Sequence, residues 1–191
     1  MVSQGQAISV ASGRKSVARE RILLTAHDLF YRDGIRGTGI DRIIAESGVT
    51  KATFYRHYPS KNRLIEAYLE YRHRRWMHWF RDAVRRHGDG VRAIVPALQE
   101  WFSQPDFRGC AFVNIVGEMG TAMPEAVQWL KRHKASLREL VEQMLPGDEG
   151  RSSTADVITL GIDGAIVRAA SGEVASALKG LGLLLARLDR P

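Results

Sequence analysis

The sequence predicts an all-α protein, with a compact three-helix unit at the N-terminal end followed by a larger helical region. Three observations carry this. Apolar residues recur at spacings of three and four in nearly every stretch. Glycines, prolines and capping hydroxyls fall where such stretches should begin or end. No segment alternates apolar and polar residues as a half-buried strand would, and no repeat period emerges.

The elements follow in order. The opening, "MVSQGQAISVASGRK", has no basic stretch leading into an apolar one and is rich in Gly, Ser, Gln and Ala, so residues 1–14 are expected to form a flexible leader. In "RERILLTAHDLFYRDG", Ile22, Leu23, Ala26, Leu29 and Phe30 form one helical stripe that Gly34 stops. "TGIDRIIAESG" offers Thr38 as N-cap with Asp41 three residues on, Ile40, Ile43 and Ile44 as a buried face, and Gly48 as the stop. "TKATFYRHY" is capped by Thr50 and ended by Pro59, and Ser60 caps a long helix running toward Gly88. Beyond Gly90 the helices are more apolar. Pro96 kinks or begins one, "GCAFVNIVGEM" is short, and Pro124 opens a helix that Pro146 and Gly147 close. Ser153 with Asp156 begins the next, and "EVASALKGLGLLLARL" is the last.

Composition narrows the function. The chain has 191 residues, 45% of them hydrophobic, enough for a sizeable core, and no apolar run of membrane-spanning length. Cys110 is the only cysteine, which excludes an internal disulfide and fits a reducing cytosol. Residues 1–87 hold 17 Lys/Arg against 8 Asp/Glu, a balance of +9, whereas residues 88–191 carry −2. That asymmetry suits a first half that meets a polyanion, or a solubility charge unevenly spread. Enzyme signatures are missing: there is no G-x-S-x-G elbow, H-E-x-x-H pair or P-loop, and "GLGLLL" lacks a third glycine and a preceding strand. His73, His78 and His87 lie at spacings that put no two on one helical face as metal ligands. No catalytic residue, metal site or cofactor is predicted.

The two short helices joined at Gly48 make a helix-turn-helix unit. Phe54 and Tyr58, four apart, should turn inward, leaving Thr50, Lys51, Thr53, Tyr55, Arg56 and His57 on the outer surface. Hydroxyls, a ring and cations suit phosphate oxygens, base acceptors and thymine methyls. Lys61, at the start of the next helix, adds positive potential for a phosphate.

"TGIDRIIAESGVTKATFYRHYPSKNRLIEAYL" closely resembles the DNA-binding domain of the TetR family of bacterial transcriptional regulators, over roughly Ala18 to Leu69. The resemblance implies a helix-turn-helix domain at 15–60 and a C-terminal effector-binding and dimerisation domain at 61–191. It implies a cytoplasmic, nucleoid-associated repressor that binds a palindromic double-stranded operator as a homodimer and leaves it when a small effector binds. Thr38, Thr50, Lys51, Thr53, Tyr55, His57 and Lys61 are the expected DNA contacts. Ala52 departs from the family, where glycine is common, and alters how closely the backbone can approach DNA.

The second half is rich in large apolar groups, which fill a core or line a pocket for an apolar or aromatic effector. Trp76, Phe80, Trp101, Phe102, Cys110, Asn114, Met119 and Trp129 are the pocket candidates; "GC-x-F-x-N" at Gly109–Asn114 resembles one branch of the family. Asn114 is the polar candidate for a ligand hydrogen bond, or for a bond to a neighbouring helix backbone. Small residues, among them Gly161, Gly164, Ala165, Ala169, Ala177 and Gly180, alternate with aliphatic rows near the C-terminus. They suit close pairing of the last two helices, about 153–189, with those of a second subunit. The cluster "RHRRWMHWF" mixes cations and aromatics, as a membrane-surface or RNA-binding module would, but it lies on the helix continuous with the DNA-binding unit, where Arg72, Arg74 and Arg75 read as solvated.

Overall fold

The computed structural model describes the backbone of residues 4–147 and 149–188, with side chains from Val17 onward except Thr121. Every regular element among them is helical: α1 (Gln4–Asp33), α2 (Ile40–Ser47), α3 (Lys51–His57), α4 (Lys61–Arg86), α5 (Ile94–Phe102), α6 (Ala111–Met119), α7 (Pro124–Gln143), α8 (Arg151–Ala170) and α9 (Val174–Leu188). Single 3-10 turns at Val91–Ala93 and Gly120–Ala122 lead into α5 and α7.

α1 starts inside the segment expected as a leader, and only residues 1–3 of that leader lie outside the described residues. A helix already nucleated by the packed Ile22–Phe30 stretch extends backward at small cost, since each added residue gains a hydrogen bond. The stops read from sequence fall where expected. Gly48 takes the left-handed conformation, φ 61°, that closes α2, and its amide donates to Ala45 O. Ser60 Oγ accepts from Arg63 N–H at the start of α4. Pro124 stands in the first turn of α7, and Pro96 falls in the first turn of α5.

Two starts differ from expectation. α8 begins at Arg151, two residues before Ser153, and Gly150 is its cap. α2 is capped by Gly39 without a side-chain bond, so Thr38 is not its N-cap.

The core is continuous from α1 to α9. In the first unit Ile22, Leu29, Ile35, Ile43, Phe54 and Leu64 are fully buried where α1, α2 and α3 meet the start of α4. α4, about 39 Å long at 1.5 Å per residue, carries Tyr68, Trp76 and Phe80 from that unit into the second, against α1, α5 and α7. α8 and α9 lie side by side. A Cβ at Gly161 would stand 2.5 Å from Leu184 Cδ2, so that glycine serves the contact of α8 with α9 within one chain. Ala165, Ala169 and Ala177 of these two helices are buried, whereas Gly164 and Gly180 are exposed.

Candidate functional site

The turn at Gly48 and the capping of α3 decide which side chains point outward. Thr50 Oγ1 accepts from Thr53 N–H at 3.2 Å and lies 2.9 Å from the Thr53 hydroxyl, so the first turn of α3 is ordered by its own threonines. Arg21 of α1 donates to Gly48 O at 3.0 Å and holds the turn from behind. Phe54 is fully buried, and Tyr58, 2% exposed, donates its hydroxyl to Arg19 O. With that face turned inward, Thr50, Lys51, Tyr55 and Arg56 are exposed, while Thr53 and His57 are half-buried. Tyr55 meets the Phe54 ring edge-on at 5.3 Å. Lys51 lies 3.5 Å from Asp41 on α2; both are strongly exposed, and such a pair contributes little to stability.

Two of the expected DNA contacts have other roles. Thr38 is fully buried, and its hydroxyl donates to Gly34 O at 2.8 Å, with Leu29 O at 3.4 Å. Because α2 starts one residue later than read, the side chain turns back onto the end of α1 and cannot face DNA. Lys61 is half-buried and donates one of its three protons to Ile35 O at 2.6 Å, and desolvation holds its pKa below the ordinary lysine value. It fastens α4 to the α1–α2 turn while leaving two donors. From the other side Glu118, at the end of α6, accepts the Arg36 backbone amide at 3.0 Å.

Behind this unit lie several cavities. One of about 420 Å³ between α1, α4 and α6 is lined by Phe30, Tyr31, Tyr68, Arg108, Asn114 and Glu118, among others. A second, about 160 Å³, lies between α1, α4 and α5 and is lined by His27, Tyr31, Arg72, Trp76, Trp101 and Gln104 with their neighbours. A third, about 280 Å³, runs between α6, α7 and α8. The eight pocket candidates are thereby dispersed. Trp76 and Trp101 line the second cavity, Cys110 and Asn114 the third, and Asn114 also the first. Trp129 lines a separate site of about 230 Å³ with Glu66 and Arg132. Phe80, Phe102 and Met119 line none of these. Phe80 stacks on Trp76 at 4.8 Å, Phe102 packs on Phe107 at 5.0 Å, and Met119 packs half-buried against the core. Asn114 Nδ2 donates to Arg108 O at 2.8 Å, holding the loop before α6.

Sequence reasoning missed a polar cluster at the joint of the two units. Arg72 is buried, its guanidinium 3.9 Å over the Tyr31 ring and its Nη1 3.3 Å from His27 Nε2. Tyr31 donates to Gly109 O and accepts from the Arg108 amide, tying α1 to the loop before α6. His27 Nδ1 lies 2.8 Å from the exposed Asp28 carboxylate, and burial lowers its pKa. His133, buried and stacked on Phe112 at 4.2 Å, is held well below the usual histidine value by desolvation, with Lys134 and His73 adding to the effect. The signal for Arg72 was its spacing, four residues after Tyr68 and four before Trp76 on the core stripe of α4.

A capped seven-residue helix, braced by a short partner across a glycine turn and mounted on a larger all-helical body, defines a helix-turn-helix regulatory protein. Residues 22–68 match the family described as bacterial regulatory proteins, tetR family. A TetR-family transcriptional regulator from Streptomyces coelicolor superposes over 98% of both chains with a TM-score of 0.81 at 29% identity. The Bacillus subtilis regulator LmrA is 37% identical over 90 residues, 45% of this chain and 48% of LmrA, so the match spans about half of that relative's length. The transcriptional regulator AcuR of Cereibacter sphaeroides is 27% identical over 169 residues, 81% of this chain and 77% of AcuR. Residues 22–68 therefore carry a DNA-binding domain of the tetR family, and the relatives and structural neighbours of the chain are transcriptional regulators rather than enzymes. No helix among the described residues is long and apolar enough to cross a membrane.

Proposed function

We propose that the protein is a ligand-responsive transcriptional repressor that binds a palindromic operator as a homodimer in the cytoplasm. The observation that carries this is the outward set on α3: Lys51 and Tyr55 exposed, Thr50 and Thr53 locked as its cap, and Phe54 anchoring the helix from beneath. In this reading α3 enters the major groove. Tyr55, Thr53 and His57 meet base edges and sugars, and Thr50, Lys51 and the remaining donors of Lys61 meet phosphates. The DNA-binding unit is residues 15–60 and the regulatory body 61–191.

The dimer rests on the outer face of α8 and α9, where Leu160, Val167 and Leu183 are 71%, 63% and 59% exposed and Val157 is 41% exposed. Solvent-facing aliphatics in one contiguous pair of helices suit burial against a second copy. Two α3 helices then lie about 34 Å apart, the spacing of successive major grooves. A small apolar or aromatic effector entering the cavities between α1, α4, α5 and α6 shifts the pair away from that spacing, because those cavities touch α1 directly. No cofactor enters the proposal.

The test is selection of bound genomic fragments with the purified protein, followed by titration of the enriched site at two salt concentrations. One palindrome bound by a dimer supports the proposal. Unenriched binding governed only by salt overturns it.

A further inference from the structure

The effector reading leaves the chemistry of the ligand open, and the joint between α1 and α4 bears on it. Arg72 is 9% exposed, yet no carboxylate of the described residues pairs with it. Its polar neighbour is the imidazole of His27, which in turn faces Asp28, so the Asp28 charge reaches Arg72 only through a ring. A buried guanidinium flanked by an aromatic ring and a neutral imidazole is a cation with donors to spare. Four residues along the same helix, the Trp76 indole N–H is fully buried and has no acceptor among the described residues. Native proteins rarely leave such a donor unmet.

Both residues line the same cavity of about 160 Å³, walled by the indoles of Trp76, Trp79 and Trp101. Arg75 adds a second cation to its lining, and Gln104 an amide. Asp28 and Asp106 also border the cavity, and neither makes an ion pair with Arg72. At about 30 Å³ per water, the space equals roughly five waters, the size of one small organic acid.

We propose that this cavity binds a small aromatic or apolar carboxylate, its anionic head on Arg72 and its body between the tryptophans. This rests on the reading of the protein as effector-responsive and names the class of that effector. The site also supplies its own route to DNA. Arg72 lies on Tyr31, and Tyr31 holds α1 to the loop before α6 through both of its hydroxyl bonds, so an anion that draws the guanidinium off that ring acts on the joint itself.

The experiment is isothermal titration of the full-length protein, without DNA, with sodium benzoate and with benzamide, its uncharged isostere. A charge-assisted pair predicts benzoate binding about tenfold or more tightly than benzamide. Arg72→Met is expected to erase that preference. It should retain the fold, since an apolar side chain replaces an unpaired buried cation, and a thermal melt checks this. Trp76→Phe, which replaces the indole by a single phenyl ring and so removes both the N–H and part of the aromatic wall, is expected to weaken benzoate several-fold and provides a second, gentler arm. Equal affinity for the two probes overturns the proposal. So does benzoate binding that Arg72→Met leaves unchanged, or no heat from benzoate at about 10 mM, tenfold above a millimolar Kd. Calorimetry needs no operator, so the two readings fail separately: benzoate that binds yet leaves operator affinity unchanged upholds the carboxylate site and removes effector-driven release.

Discussion

Replacing Thr38 with valine separates a structural role from a DNA-contacting one. The hydroxyl is fully buried and donates to Gly34 O at 2.8 Å, where the chain leaves α1. Valine keeps the shape but sets a methyl against that carbonyl. Leaving a buried acceptor unpaired costs about 1–3 kcal/mol, and removing the hydroxyl's own desolvation offsets part of this, for a net loss of roughly 1–2 kcal/mol. At about 2–4 °C per kcal/mol for a chain of this size, the melting temperature should fall by roughly 2–8 °C. Thr38→Ser, which keeps the hydroxyl, should lose less. The assay pairs a circular-dichroism melt with operator titration at 25 °C, where both variants remain folded. Affinity for DNA should stay within about twofold, because a fully buried side chain touches no phosphate. An unchanged melt together with a tenfold loss of operator affinity would refute this placement of Thr38 and restore it to the DNA surface.

Other expectations follow from the surface and from the buried histidines. Lys51→Ala should lower the slope of log affinity against log salt by about one, and Tyr55→Ala should weaken the operator complex about tenfold, the equivalent of one contact of ~1.4 kcal/mol; filter binding at several salt concentrations reads both. Leu160→Asp should weaken self-association by roughly tenfold or more, seen by analytical ultracentrifugation. The folded protomer should change by no more than about 0.5 kcal/mol, since Leu160 is exposed in one chain. Burial lowers the pKa of His27, His73 and His133 from the ordinary 6.5, His133 furthest. Their folded values lie below the unfolded one, so the stability they allow is present above pH 6.5 and is lost as pH falls toward the folded values. Melting temperature should therefore drop from about pH 7.5 to about pH 5.5, and His133→Phe, in a site that already stacks on Phe112, should flatten that fall.

What was legible in the sequence was whatever local chemistry decides. Gly48, Thr50, Pro59 and Ser60 punctuate the chain through backbone geometry and caps, and the helix-turn-helix unit followed from them. Thr38 misled because a hydroxyl three residues before Asp41 looks like a cap, whereas tertiary packing gave it the Gly34 carbonyl instead. The N-terminal segment misled in another way, since its composition is that of a leader but it is joined to a helix already held by the core. The pocket candidates were chosen for size and apolarity, and those properties describe a core as well as a cavity. Phe80 and Phe102 went to the core. Arg72 was read as solvated because charge was weighed above position. Its place on the Tyr68–Trp76 stripe decides its burial, and only the three-dimensional joint reveals that Tyr31 and His27 surround it.

The bond from the Arg36 amide to Glu118 carries a consequence for heredity. The larger helical body grips the helix-turn-helix unit through a peptide group, which every amino acid but proline supplies. Position 36 can therefore drift through almost any residue while the linkage persists, and a side-chain scan would pass over it. The burden falls instead on Glu118 and on Gly34, where a Cβ would stand 2.9 Å from the Glu118 carboxylate oxygens on a backbone turned to φ +81°. An evolving lineage is free to change one end of this tether and constrained at the other.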